Sequence, residues 1–226
     1  MRIDVWSDVV CPWCYIGFVR LEKAIDKLGL EVELYHHAYQ LDKDATDEPY
    51  LTVENLAEKY GISVEQATDM MSDVTDVAAT EGLNYQLEKT HGANTQLAHR
   101  LLMLAAERGV HHELLFKLFN AYFEKAENIF SVDDLKPFAQ SVGITDEELQ
   151  NLATTDLFND VLQSDKELAE WVVSHTDTWR DWRDQNYLTS WQEYERIFRG
   201  QWAAEDKTRE SERSRIISPA TQQAIE

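Results

Sequence analysis

Arg2-Ile3-Asp4-Val5-Trp6-Ser7-Asp8-Val9-Val10-Cys11-Pro12-Trp13-Cys14-Tyr15 is the stretch on which the reading of this chain turns. It runs from an apolar, strand-forming segment into a Cys-x-x-Cys, and a helical pattern follows at once. Cys11 and Cys14 are the only two cysteines among 226 residues. Two cysteines at this spacing can close one small disulfide ring and pass it to another molecule. Attack on a disulfide needs a thiolate, and a free cysteine, with a pKa of about 8.5, is mostly protonated at neutral pH. Cys11 falls at the N-terminus of the coming helix, where unpaired backbone N–H groups and the positive end of the helix dipole favour the anion. Pro12 suits the first turn because its φ is preset and it has no N–H to lose. The expected roles follow: Cys11 attacks to form a mixed disulfide and Cys14 resolves it, while Trp13 tunes the site or packs on a peptide substrate.

Working outward, Arg2 to Ser7 reads as a buried first strand. Phe18, Leu21, Ala24, Ile25 and Leu28 recur at helical spacing, and Gly29 stops that helix. Glu31 to Tyr39 alternates as a second strand. A strand, a Cys-x-x-Cys at a helix start, a helix and a parallel strand make the opening βαβ of an α/β, thioredoxin-like fold. After a polar connection over Asp42–Tyr50, the pattern is helical for more than a hundred residues. Ser63 and Gln66 have capping-box spacing, with Val64, Ala67, Met71, Val74 and Ala78 on one face. Asn94-Thr95, Ser131 and Thr145 mark further helix starts. His112 to Glu124 reads as one helix, and Phe158, Val161, Leu162 and Leu168 mark the last.

Composition narrows the function classes. A hydrophobic content of 43% supplies a core, and the formal net charge of −21 argues against nucleic acid and anionic membranes as partners. No run of 18 apolar residues exists, and Met1-Arg2-Ile3-Asp4 lacks the apolar core of a signal peptide, so a cytoplasmic location is the expectation. In a reducing compartment a Cys-x-x-Cys reads as catalytic or metal-binding before structural. A zinc site usually needs four ligands, and His36-His37 or His111-His112 would have to complete it, although neighbours on a strand point to opposite faces. No metal and no cofactor beyond the Cys11–Cys14 pair is therefore expected.

The motif Asp8-Val9-Val10-Cys11-Pro12-Trp13-Cys14-Tyr15-Ile16-Gly17, followed by Leu21-Glu22, closely resembles the FrnE-like branch of the DsbA family. Leu56 to Ser63, Glu81-Gly82-Leu83, Asn94-Thr95 with Ala98-His99-Arg100-Leu101-Leu102, and Ala121-Tyr122-Phe123 resemble that branch's helical insertion. The resemblance covers about residues 1–170. It implies a thioredoxin fold with a helical domain inserted between its halves, and disulfide exchange on protein or small thiol substrates. Related isomerases and glutathione transferases carry serine at the first motif position, so a glutathione-dependent transferase or isomerase is the alternative enzyme. A redox-sensing binding module is the non-enzymatic one.

The expected domains are a thioredoxin-like first half over 1–45, the inserted helices over 46–170, and a divergent segment over 171–226. That last segment holds five of the seven tryptophans and seven arginines but one lysine and one glycine. The resemblance calls for a return into the thioredoxin half through a cis-proline, a strand and a glycine hairpin soon after Leu168, and the first proline after Leu168 is Pro219, beyond that place. Two readings stand: a shifted reading frame, in which His175 to Leu188 can spell T-P-T-x-G-V-I-G-G-T-K-T-I-S, or a real aromatic-rich helix over Thr189–Trp202. Either leaves the C-terminal part of the sheet missing or altered, and the chain is expected to be less active and less stable than a complete relative.

Overall fold

The computed structural model describes residues 2–175. Over these, strand β1 (Arg2–Ser7) leads into helix α1 (Pro12–Leu28), and the chain returns as β2 (Glu33–Ala38). The two strands pair in parallel from Arg2↔Glu33 to Ser7↔Ala38. Helix α1 starts at Pro12, so Cys11 is its N-cap and the cysteine pair spans its first turn. It ends at Gly29, whose left-handed φ of 60° lets the amides of the turn bond back to the Asp26 and Ile25 carbonyls.

The helices that follow are α2 (Thr52–Tyr60), α3 (Val64–Thr80), α4 (Gln96–Glu107), α5 (His111–Phe119), α6 (Val132–Ser141), α7 (Asp146–Thr154) and α8 (Asn159–His175). Three carry complete capping boxes, at Ser63/Gln66, Ser131/Asp134 and Thr145/Glu148. The start of α4 is capped one residue earlier than its boundary suggests, by the Asn94 side chain accepting from the Gln96 amide at 2.9 Å. Ala67, Met71 and Ala78 of the α3 stripe are buried as expected, whereas Val64, at the first turn, is exposed.

The inserted block is not purely helical. Strand β3 (Tyr50–Leu51) pairs antiparallel with β4 (His91–Gly92). Four residues carry too little alternation to register as strands in sequence. A Cβ at Gly92 would meet the Tyr50 ring at 2.6 Å, so any other residue there would make that ring shift. The helix expected over 112–124 also differs, because a π-helical turn (Asn120–Glu124) follows α5. Phe158, counted on the face of the last helix, instead takes a left-handed φ of 68° just before α8.

Helix α8 turns back onto the sheet, and the expected boundary at 170 lies inside it. Its Asp165 carboxylate accepts from the Ala38 amide at 2.9 Å and contacts His37 Nδ1 at 2.7 Å. His37 Nε2 meets Asp4 at 2.9 Å, and Trp6 stacks on the imidazole while donating its indole N–H to the Asp165 carbonyl. Burial alone would lower the proton affinity of His37, but the two carboxylates raise it. Asp165→Ala strips a partner from both a backbone amide and an imidazole, and should cost about 2–3 kcal/mol. Urea unfolding checks this, and a loss below about 0.5 kcal/mol would be inconsistent with it.

The other face of β2 is set differently. His36 stacks on Phe18 at 4.8 Å and on His111 at 4.4 Å, so adjacent histidines do face opposite ways. The Nδ1 atoms of His36 and His111 are buried without a hydrogen-bond partner. Burial pushes His36 down to about 4 and His111 to about 3, with neighbouring histidines adding to each. Unfolding returns both to about 6.5, so the unfolded chain binds more protons below that pH. Stability should therefore fall as pH drops from 6.5 toward 4, by up to about 1.4 kcal/mol per unit for each imidazole. Denaturant midpoints at pH 7, 6 and 5 measure this, and a flat profile would contradict it. The salt-bridged carboxylates Asp4 and Glu81, both held below their ordinary range, add their losses only further down.

The expectations for 176–226, including the displaced cis-proline, the shifted frame, the aromatic helix and the altered sheet edge, lie outside the described residues.

Candidate functional site

The loop between β1 and α1 places the cysteines at the carboxyl end of the first strand. The Cys11 amide donates to the Asp8 carbonyl at 3.2 Å, and the Cys14 amide donates to the Cys11 carbonyl at 3.0 Å. These bonds set the turn that points the helix start at Cys11. Both residues are free thiols and partly buried, lying 3.2 Å apart. Trp13, between them, is 41% exposed.

The two thiols are not equivalent. A hydrogen bond from Cys14 holds Cys11 below the ordinary thiol range against the cost of burial, and backbone N–H groups of Cys14 and Trp13 help. The same interaction, followed by burial and the charge of Cys11 itself, pushes Cys14 well above that range. One sulfur is prepared to be an anion and its neighbour to stay protonated. Nucleophilic attack and protection of the second thiol are separated by this asymmetry.

Beneath the first turn, α1 is bedded on the inserted helices. Tyr15 stacks on Phe119 at 4.9 Å, and its hydroxyl donates to Glu124 at 3.1 Å. Glu124 sits in the π-helical turn, and its carboxylate accepts from both the Tyr15 hydroxyl and the Asn84 amide. Tyr85 donates to the Pro12 carbonyl at 2.8 Å, tying the motif to the inserted block. Further along α1, buried Arg20 reaches Glu81 at 2.7 Å, and Lys23 meets the same carboxylate at 2.8 Å.

Asp8, whose charge acts on both cysteines, and its partner His99 carried no role in the sequence. Asp8 and His99 are both buried, and His99 Nε2 lies 3.1 Å from the Asp8 carboxylate, whose other oxygen accepts from the Leu41 amide at 2.8 Å. The available signals were slight: an acidic residue in an apolar approach to the motif, and a histidine flanked by Ala98, Leu101 and Leu102 on the apolar face of α4. Among the described residues, no group of three or more histidine, cysteine or acidic side chains is arranged to hold a metal ion. No described helix is long and apolar enough to cross a membrane.

A parallel β–α–β unit with a Cys-x-x-Cys on the first turn of its helix, extended by a helical insertion, defines a thioredoxin-like protein of the disulfide-exchange class. The family model for the DSBA-like thioredoxin domain matches residues 2–172, and the chain belongs to that family. A probable DsbA oxidoreductase, SCO1869 from Streptomyces coelicolor, superposes with a TM-score of 0.70 at 32% identity, covering 76% of each chain. A candidate protein disulfide isomerase from Nitrosomonas europaea shares the fold with a TM-score of 0.56 at 16% identity, over 76% of this chain and 79% of that one. The uncharacterized protein YwbO of Bacillus subtilis is 26% identical over 173 residues, 71% of this chain and 76% of its own length. Thiol–disulfide oxidoreduction is the general activity that this membership supports.

Proposed function

We propose that the chain is a dithiol–disulfide oxidoreductase of the FrnE-like branch, acting in the cytoplasm on protein or small thiol substrates through Cys11 and Cys14 alone. The observation that carries this is the placement of two free thiols 3.2 Å apart on the first turn of α1, with Cys11 at its N-cap. Cys11, as thiolate, attacks a substrate disulfide, and the substrate's leaving sulfur takes the electron pair. Cys14 then gives its proton to the first released substrate thiolate and attacks the mixed disulfide at Cys11 Sγ, releasing the second substrate sulfur as thiolate and closing the Cys11–Cys14 bond. In the opposite direction a substrate thiolate opens that bond. Trp13 lies between the two cysteines, where it packs on a peptide substrate or tunes the site. The first half over 1–45 supplies the chemistry, and the insertion over 46–170 supplies the bed for α1.

Cysteine at position 11 disfavours the glutathione-dependent transferase or isomerase, in whose relatives serine stands there. The binding-module reading requires no turnover. Catalysed exchange between a dithiol and a peptide disulfide by the purified 226-residue chain tests the proposal. Multiple turnovers per protein support it, and binding of the peptide without turnover would favour the module.

A further inference from the structure

Asp8 fits poorly with a site that only has to stabilise a thiolate. Its side chain is 1% exposed, it lies three residues ahead of Cys11, and its negative charge pushes both thiols up. A buried carboxylate there opposes the anion that the helix start favours, unless its charge is offset when Cys11 ionises. Among the described residues, two groups bond to its carboxylate. The Leu41 amide at 2.8 Å cannot change its charge, whereas the His99 imidazole at 3.1 Å can.

We propose that His99 takes up a proton when the Cys11–Cys14 disulfide is reduced and releases it on reoxidation, compensating the paired charges of Asp8 and the Cys11 thiolate. This rests on the reading of the cysteines as a redox pair. On reduction a donor dithiol gives two electrons and the Cys11–Cys14 bond breaks. Cys11 keeps its electron pair as thiolate, Cys14 takes one proton and the His99 ring takes another. On oxidation by a substrate disulfide the sulfur–sulfur bond re-forms, both protons leave and the two electrons pass to the substrate, which becomes two thiols. His99 is a positioning and charge-compensating residue here and does not touch the substrate.

The surroundings allow this role. Cys11 and Cys14, at the start of α1, both feel the charge of Asp8, and the Cys11 amide donates to the Asp8 carbonyl. His111, on α5, feels the His99 charge and is itself held neutral by burial. Tyr122, in the π-helical turn, feels Asp8 but is pushed up to about 12 by burial first, so it keeps its proton. Arg100, the next residue on α4, is directed away to the carbonyls of Leu157 and Thr155. His37 and Asp165 are bonded to each other between β2 and α8.

The test is the midpoint potential against glutathione buffers, measured across pH for the wild type and His99→Gln, which keeps a donor for Asp8. Where Cys11 is ionised, the wild type should bind one more proton per two electrons than the variant. That is a tenfold steeper dependence of the equilibrium constant per pH unit, or 29.6 mV. Equal slopes in two folded proteins overturn the proposal while leaving the redox pair intact. If the variant does not fold, the wild-type His99 ring followed by NMR decides, since it should titrate at higher pH in the reduced protein than in the oxidised one. Coincident titrations would overturn the proposal equally. A wild-type pair that never equilibrates with glutathione would instead sink the redox reading itself.

Discussion

Cys11→Ser is expected to lower thiol–disulfide turnover by at least about a thousandfold, to the uncatalysed background, with the fold intact. A serine hydroxyl at a helix N-terminus is not an anion at neutral pH and forms no disulfide, so the first bond cannot form. Cys14→Ser should behave differently. Its Cys11 keeps the helix start and the backbone N–H groups of residues 13 and 14, and the serine hydroxyl can take over the donor role of the Cys14 thiol. The variant should still attack once and then stall as a mixed disulfide, because no second thiol can release the substrate. Mass spectrometry after mixing with a peptide disulfide separates the cases: a stable adduct on Cys14→Ser and none on Cys11→Ser. Equal turnover by Cys11→Ser and the wild type would remove Cys11 from the chemistry.

Phe119→Ala should give the largest loss of stability, about 3–5 kcal/mol. Phe119 is fully buried, with its ring 4.9 Å from Tyr15 and 5.9 Å from Phe18. It joins α5 to the buried face of α1, so the cavity opens directly below the turn that carries the cysteines. The surrounding rings of Phe116 and Phe123 already pack on it at about their optimal spacing and have little room to collapse inward. Exchange activity should fall with stability, since the Tyr15–Glu124 bond and the Tyr85 tether lose their common backing. Equilibrium unfolding measures the effect, and a loss under about 1 kcal/mol would show that α1 is not seated on Phe119.

What the sequence made legible was local. The cysteine spacing, Pro12 after Cys11, Gly29 at the end of α1 and the capping boxes at Ser63, Ser131 and Thr145 are all signals carried within a few residues. They located the opening β–α–β unit and most helix starts. The parts that stayed hidden join distant residues. His99 meets Asp8 across 91 positions, and Asp165 meets His37 across 128. Each of these side chains looks unremarkable among its sequence neighbours, and only the fold brings it to a partner. The π-helical turn at 120–124 was missed because Ala121, Tyr122 and Phe123 are all buried, so one added residue leaves the apolar pattern unbroken. The family resemblance extended the reading over the insertion, although it carried no role for Asp8 or His99.

The asymmetry of the two thiols is the central claim, and alkylation of the reduced protein measures it directly. Iodoacetamide labelling over a range of pH, with the modified cysteine identified by peptide mass spectrometry, reports each thiolate separately. Cys11 should label first, with a midpoint below the value of about 8.5 for a free cysteine, while Cys14 stays unmodified over the same range. Labelling of Cys14 first, or of both together above that value, would contradict the account.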